Sequence, residues 1–492
     1  GAQLGQQAVT TSVQAGAVGL ALVFLFMCFV YLLPGLASSL ALLIYTGIVL
    51  VILNAFNVTL TLPGIAGIIL GIGMAVDANV IIFARVKEEM TKGKSVRNSL
   101  KAGFHKAMSA IVDGNVTTLI AAAVLWFRGS GSVKGFAQTL AIGIIVSMFT
   151  ALVITRMIVY AFYAVGIRSE KLYYRPKKPR EPINFVGRKA IFFAISLILI
   201  AAGFGVAGYN AARGNGAMNY SLEFQGGTST NVTFDQDYTI DEIDAQIIPV
   251  VEEATGDHNV QAQKVEGSNQ IIFKTSTLDL DAREALDQAL VDNFQVDESL
   301  ITFENISSTV SSEMRTDAIV AVAIATVLML LYIWFRFKDI RFATSAVLAL
   351  LHDVLIVALF YAVARISVGN TFIACILTIF GYSINATIVI FDRIREELKL
   401  APKGQDLAYT VNKSITQTLT RSIYTSLTTF ITIAVLFVMG VSSIREFALP
   451  LMVGIVCGAY SSVCVTGPLW YVMKTKIGGK KKEAEKSGKK KK

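Results

Sequence analysis

The sequence predicts a polytopic α-helical membrane protein made of two parallel pseudo-repeats, with one small α+β domain between membrane helices. Three observations carry this reading. Of the 492 residues, 54% are hydrophobic and only 16% are charged, against about a quarter charged in soluble domains. The apolar residues fall into runs long enough to cross a hydrocarbon core of about 30 Å as helix. A motif of the third run returns in the ninth, 308 residues later. A mean hydropathy of +0.59 excludes a single soluble domain.

Eleven runs, numbered spans 1 to 11, lie near 17–33, 36–54, 62–84, 109–127, 136–166, 189–208, 317–335, 342–364, 371–392, 419–440 and 447–473. They divide the chain into a lead-in (1–16), a first transmembrane half (17–166, five helices) and a basic linker (167–188). The second half follows, with its first helix at 189–208, an acidic domain at 209–316 and five further helices at 317–473. A Lys-rich tail (474–492) ends the chain. Cys28, Cys375, Cys457 and Cys464 all sit in apolar runs without a CxxC pair, and there are three histidines. No disulfide scaffold or resident metal is expected from such a set.

Charge gives the orientation. Residues 209–316 hold 19 Asp and Glu against 5 Lys and Arg. The basic loops are 85–106, 168–189, 336–341 and 393–413, and the tail adds ten lysines from Lys474 onward. Lys/Arg-rich short loops stay cytoplasmic, and threading eleven spans alternately puts all of them on one side. The acidic domain falls on the other, extracytoplasmic side, and the C-terminus is cytoplasmic. The tail reads as a solvated segment, or one drawn to anionic lipid. Nothing else in the sequence supports nucleic acid binding.

The repeat aligns Gly73-Met-Ala-Val-Asp77 through Glu89 with Gly381-Tyr-Ser-Ile-Asn385 through Glu397. The same offset matches Asp113 with Arg421, and an offset of 311 matches Phe136 with Phe447. Span 1 pairs with span 7, so the halves are parallel, a transporter architecture. Span 6 and the acidic domain have no counterpart at the front. The expectation is a parent of six plus six helices, with one helix and one large external domain preceding Gly1. Within 209–316 the pattern is β-α-β-β-α-β, the ferredoxin-like unit: a strand to Phe234, helix 241–255, strands 259–265 and 270–275, helix 282–293 and strand 299–304.

A charge in the bilayer core costs about 2.5–3.5 kcal/mol even on the gentlest scale, so each one needs a reason. Asp77 lies eight residues before the interfacial Arg85, or about 12 Å deep, among the small residues Gly71, Gly73, Ala75 and Ala78. It is the leading candidate to bind a coupling ion, with Asn385 at its repeat position; a fixed structural carboxyl is the alternative. Asp113 and Arg421, matched by the repeat, are expected to approach each other and to exchange partners with Asp77; a static ion pair is the alternative. Thr117, Thr118, Thr425 and Ser426 are candidates to line a hydrated path, or packing residues. His352-Asp353 in span 8, opposite Ile44-Tyr45, reads as a proton shuttle or as a structural contact. Asp392, Arg393, Arg395, Glu396 and Glu397 read as a solvated helix end.

The Gly73–Phe83 motif with Asp113-Gly-Asn-Val-Thr-Thr-Leu closely resembles SecD. Leu350-Leu-His352-Asp353-Val, Gly381-Tyr-Ser-Ile-Asn385, Phe391-Asp392-Arg393 and Glu223-Phe-Gln-Gly-Gly-Thr resemble SecF. Together they resemble the fused SecD/SecF family of protein-export membrane proteins, in the resistance-nodulation-division superfamily. The resemblance implies a non-enzymatic accessory subunit of the Sec translocase in the bacterial cell membrane. Its partners would be the Sec channel, unfolded preprotein and lipid; its driving force a proton or sodium gradient, with no other cofactor. Asp77 would titrate with Arg421 beside it. SecF-type halves carry Asn-Asp where this chain has Asn385-Ala386, so a family acid is absent. A small-molecule or lipid exporter of the same superfamily, and an inert assembly scaffold, remain as alternatives.

Overall fold

The computed structural model describes residues 2–477 except 59, 130–131, 176–179, 215, 259 and 266–267. The lysine-rich tail beyond 477 lies outside the described residues. The chain forms two compact units, a helical one and a smaller one comprising Met218–Val320 with Ile366–Asn370.

In the helical unit, ten helices among the described residues are long and apolar enough to cross a membrane. The first, Val9–Ala55, has 47 residues; as one rod it would extend about 70 Å, more than twice the bilayer core. It breaks at Leu32 (φ 57°, ψ −126°). Ser39 Oγ donates to the Phe24 carbonyl at 3.3 Å, fifteen residues back, so the chain has reversed. A Cβ on Gly35 would lie 1.9 Å from the Met27 carbonyl oxygen, and only glycine fits so tight a return. This element therefore holds spans 1 and 2, and the eleven spans are present. Within their most apolar 18-residue stretches, spans 3 (Pro63–Thr91) and 9 (Asn370–Leu400) have 89% of residues buried, whereas span 6 (Lys189–Ala212) has 17%. The repeat thus puts its related pair at the centre of the bundle.

The register between halves differs from the sequence reading. Spans 4 and 10 are Val96–Arg128 and Leu407–Met439, 33 residues each, closed by Gly129 and Gly440. Starts, ends and caps all differ by 311. The offset therefore changes from 308 to 311 in the loop before these helices, not after Asp113. Arg421 corresponds to Ala110, and Asp113 to Tyr424. Interhelical contacts agree: Gly73 abuts Thr429 as Gly381 abuts Thr118. Matching an Asp to an Arg masks a three-residue insertion that the helix caps expose. The π-helical turns Thr150–Thr155 and Ser461–Thr466 also lie 311 apart, a shared irregularity of spans 5 and 11.

In the smaller unit the strands are β1 (Asn219–Tyr220), β2 (Gly227–Thr233), β3 (Gln261–Lys264), β4 (Gln270–Thr275), β5 (Ile301–Ile306) and β6 (Ser367–Val368). The main sheet runs β3-β4-β2-β5, wholly antiparallel, the strand order of the ferredoxin-like unit. Alternation in β4 buries Ile271 and Phe273 against Ile247, Leu286 and Leu290 of the two helices. Thr239 and Glu242 form a reciprocal capping box at the first helix. The parallel pair β1–β6 has no signal in the alternating pattern, since each strand is two residues long.

Candidate ion-coupling site

Asp77 opens the helical segment Asp77–Thr91 immediately after a turn at Val76 that interrupts span 3. Both carboxylate oxygens are occupied. Thr425 Oγ1 donates to Oδ1 at 2.8 Å and Asn385 Nδ2 to Oδ2 at 2.6 Å. Spans 9 and 10 of the second half therefore hold the acid of the first. Asn385 reaches it because residue 114 is glycine: a Cβ there would lie 1.9 Å from Asn385 Oδ1.

Arg421 shares this site. It is 8% exposed, and its Nη2 is buried without a hydrogen-bond partner. The Asp77 carboxylate is its strongest source of attraction, yet no ion pair within 4.0 Å joins them among the described residues. Between them lies a cavity of about 20 Å³ lined by Asp77, Asn385, Ala386, Arg421, Thr425 and Ser426, among others. That volume accommodates one water molecule. The arrangement is a half-buried acid, a buried unpaired guanidinium and a water-sized gap, at the seam between the halves.

The other expected residues fall elsewhere. Asp113 turns away from Arg421 and meets span 7, where Arg336 Nε donates to it at 2.5 Å and Tyr332 at 2.9 Å. The expected approach of Asp113 and Arg421 is thus corrected, because the two are not equivalent positions. Sequence reasoning missed Tyr332 and Arg336 as its partners; at a span end they look interfacial. Thr117 and Thr118 donate to the Gly114 carbonyl of their own helix, at 2.6 and 3.3 Å. Ser426 accepts from Tyr382 at 3.0 Å beside Asp77. His352 and Asp353 are joined at 2.9 Å, and Asp353 meets span 9 at Ser383, two residues before Asn385.

Of the charges read as a solvated helix end, Arg393 and Glu397 are instead buried, at 7% and 6% exposed, while Asp392, Arg395 and Glu396 are partly exposed. Arg85 bonds Glu396 at 2.9 Å and Glu88 at 3.1 Å; Arg393 bonds Glu396 at 3.0 Å and Glu88 at 3.2 Å. Each half thus supplies one Arg and one Glu, 308 residues apart, to a reciprocal four-membered ring. Span ends that look interfacial become partly enclosed when two copies face each other across an axis.

The family of protein export membrane proteins SecD/SecF, through its C-terminal part, matches residues 1–165 and 286–476. This chain belongs to the SecD/SecF protein-export family. It is 36% identical to the protein translocase subunit SecDF of Bacillus subtilis, over 96% of this chain and 65% of that protein. The SecDF of Thermus thermophilus is also 36% identical, over 99% of this chain and 64% of that one. A crystal structure of SecDF from the same Thermus species, described as translocon-associated, superposes with a TM-score of 0.86 over 97% of this chain. The chain spans about two thirds of the length of these relatives. As a member of the family it is a multi-pass membrane protein, with the helices described above.

Proposed function

We propose that this chain is the membrane part of an accessory subunit of the Sec translocase, and that Asp77 binds and releases a coupling proton. Relatives named protein translocase subunits over nearly the whole chain support the first part and do not favour an exporter. The Asp77 site supports the second. A half-buried carboxylate held by two neutral donors, with an unpaired Arg421 across a one-water gap, has two settings: ionised and drawn to Arg421, or protonated and held by Thr425 and Asn385 alone. The transition changes the attraction between spans 3 and 10, which belong to different halves, and so converts proton binding into relative helix movement. A sodium ion fits less well, because it needs several oxygen ligands and would face the guanidinium.

In this reading the basic loops and the C-terminus are cytoplasmic and the acidic unit is extracytoplasmic. The partners are the Sec channel, an unfolded preprotein on the acidic-unit side, and the surrounding lipid. The protein is a gradient-driven translocation factor, not an enzyme. The decisive test is ion flux in proteoliposomes holding the complete protein, wild type against Asp77→Asn, under separate pH and sodium gradients. Flux under the pH gradient that disappears in Asp77→Asn is the expected result. Equal flux in the variant would overturn the assignment, and flux under sodium alone would reassign the ion.

A further inference from the structure

Asp353 is fully buried in span 8, and its surroundings differ in kind from those of the other two membrane carboxylates. Asp77 has Arg421 across a cavity and Asp113 has Arg336 in contact. Among the described residues the only ion-pair partner of Asp353 is His352, with Nδ1 at 2.9 Å from Oδ1. The remaining contacts are neutral donors. Cys457 Sγ lies 3.2 Å from Oδ1, and Ser383 and Ser461 donate to Oδ2 at 2.5 and 2.6 Å. On its far side, His352 Nε2 lies 2.8 Å from Ser196 Oγ in span 6. Tyr460 stands next to that hydroxyl and donates to the Phe192 carbonyl of the same span at 2.7 Å. A chain of hydrogen bonds thus leads from Asp353 through the imidazole to the buried Ser196 hydroxyl of span 6.

The first half supplies an internal control. The repeat puts Ile44-Tyr45 at the place of His352-Asp353, and residues at positive φ, Asn57 and Arg365, close spans 2 and 8 at the same 308 offset. Ala75 stands for Ser383, and Val146 for Cys457. Tyr45 is as buried as Asp353, with a hydroxyl that lacks any partner. The fold therefore builds this junction without a carboxylate. A carboxylate in the bilayer core that lacks an Arg or Lys is electrically neutral only when the His352–Asp353 pair carries an added proton.

We propose that His352 and Asp353 form a second proton-binding centre, separate from Asp77. A proton taken up by the pair resides on His352 Nε2, which then donates to the Ser196 hydroxyl oxygen. The resulting imidazolium is neutralised by Asp353 through Nδ1–H. The titratable groups facing the pair are Cys457 and Tyr460 of span 11; span 6 presents Ser196 and span 9 Ser383, neither of which titrates.

The complete protein is labelled with ¹⁵N-histidine and placed in lipid bilayers for solid-state NMR, the His352 signal being assigned as the one lost in His352→Gln. The His352 Nε2 resonance is expected to convert from the unprotonated to the protonated form within about pH 5 to 8. Asp353→Asn is expected to weaken that proton binding roughly tenfold or more, and the titration is expected to persist in Asp77→Asn. An Nε2 that stays unprotonated across the range in the wild-type chain overturns the proposal and leaves a fixed polar hub. Loss of the titration in Asp77→Asn overturns the separateness of the two centres. Because the first readout is made on the wild-type chain, misfolding of Asp353→Asn does not blunt it.

Discussion

Gly114→Ala is the sharpest probe of the Asp77 site, because it acts on Asp77 without touching it. The new Cβ would sit 1.9 Å from Asn385 Oδ1 and 2.7 Å from Asn385 Cγ. Ordinary contact between such atoms is about 3.5 Å, so the amide must withdraw by roughly 1.5 Å. Asn385 Nδ2 now lies 2.6 Å from Asp77 Oδ2, and a withdrawal of that size breaks the bond. A hydrogen bond to a charged group contributes about 1.5–3 kcal/mol, so the ionised form of Asp77 loses roughly ten- to a hundredfold in relative stability. The fold should survive, since the clash falls on the end of a side chain and alanine is the better helix former.

The assay is proton flux in proteoliposomes holding the complete protein. Gly47→Ala serves as the control, because a Cβ there meets nothing within 4 Å. Gly114→Ala is expected to shift the pH dependence of flux, Gly47→Ala to leave it alone, and Gly114→Ala to add nothing in an Asn385→Ala background. Wild-type behaviour in Gly114→Ala, or a full effect that persists without Asn385, would refute the reasoning that glycine at 114 exists to admit the amide.

Three further outcomes are expected. Arg85→Glu confronts Glu88 and Glu396 and should lower the thermal midpoint in detergent, while Glu396→Arg added to it restores part of the loss; no recovery would mean the ring is not reciprocal. Asp113→Asn leaves Arg336 without its closest carboxylate and should cost about 3 kcal/mol, the scale of breaking a buried pair, read by denaturation of the complete protein; a neutral result would show that Tyr332 and water suffice. In the acidic unit, burial raises the Asp287 pKa, with Glu298 and Glu284 adding to the effect. A raised carboxyl pKa means the folded state favours the protonated form. The unit should therefore gain stability as pH falls toward that pKa, and Asp287→Asn should stabilise it at neutral pH and flatten the dependence, as read by hydrogen exchange; equal exchange in both proteins would remove Asp287 from the account.

Much of this architecture is legible in the sequence because the bilayer enforces it. Span length follows from membrane thickness, and the two central helices announce themselves by a long shared motif. Asp77 stands out because a charge at that depth has so few reasons to exist. The partners of the charges are harder to read. Asp113 meets Arg336 rather than Arg421 because a three-residue insertion in a polar loop leaves no trace in an apolar pattern, and the helix caps that reveal it are weak signals alone. The Arg85–Glu396 exchange is in principle readable, since Arg85 and Glu88 repeat as Arg393 and Glu396. Recognising it requires placing the axis between spans 3 and 9 rather than treating each span end as facing water. The β1–β6 pair joins segments almost 150 residues apart through two residues each, below the reach of any periodicity.

The repeat also separates what holds the bundle together from what works within it. Residues kept in both copies, Arg85 with Arg393 and Glu88 with Glu396, bond to each other across the axis and close the two halves into a ring. Four charges within the spans break the symmetry. Asp77 faces Asn385, Arg421 stands where the first half has Ala110, Asp113 where the second has Tyr424, and Asp353 where the first has Tyr45. Each of these charges sits at a place that the other copy fills with a neutral side chain, so packing alone does not demand it. A charge that costs about 2.5–3.5 kcal/mol in the bilayer core, and that one half of the same chain does without, is retained for what its ionisation does. On that argument the asymmetric set defines the machinery, and Asp353 belongs to it on the same grounds as Asp77.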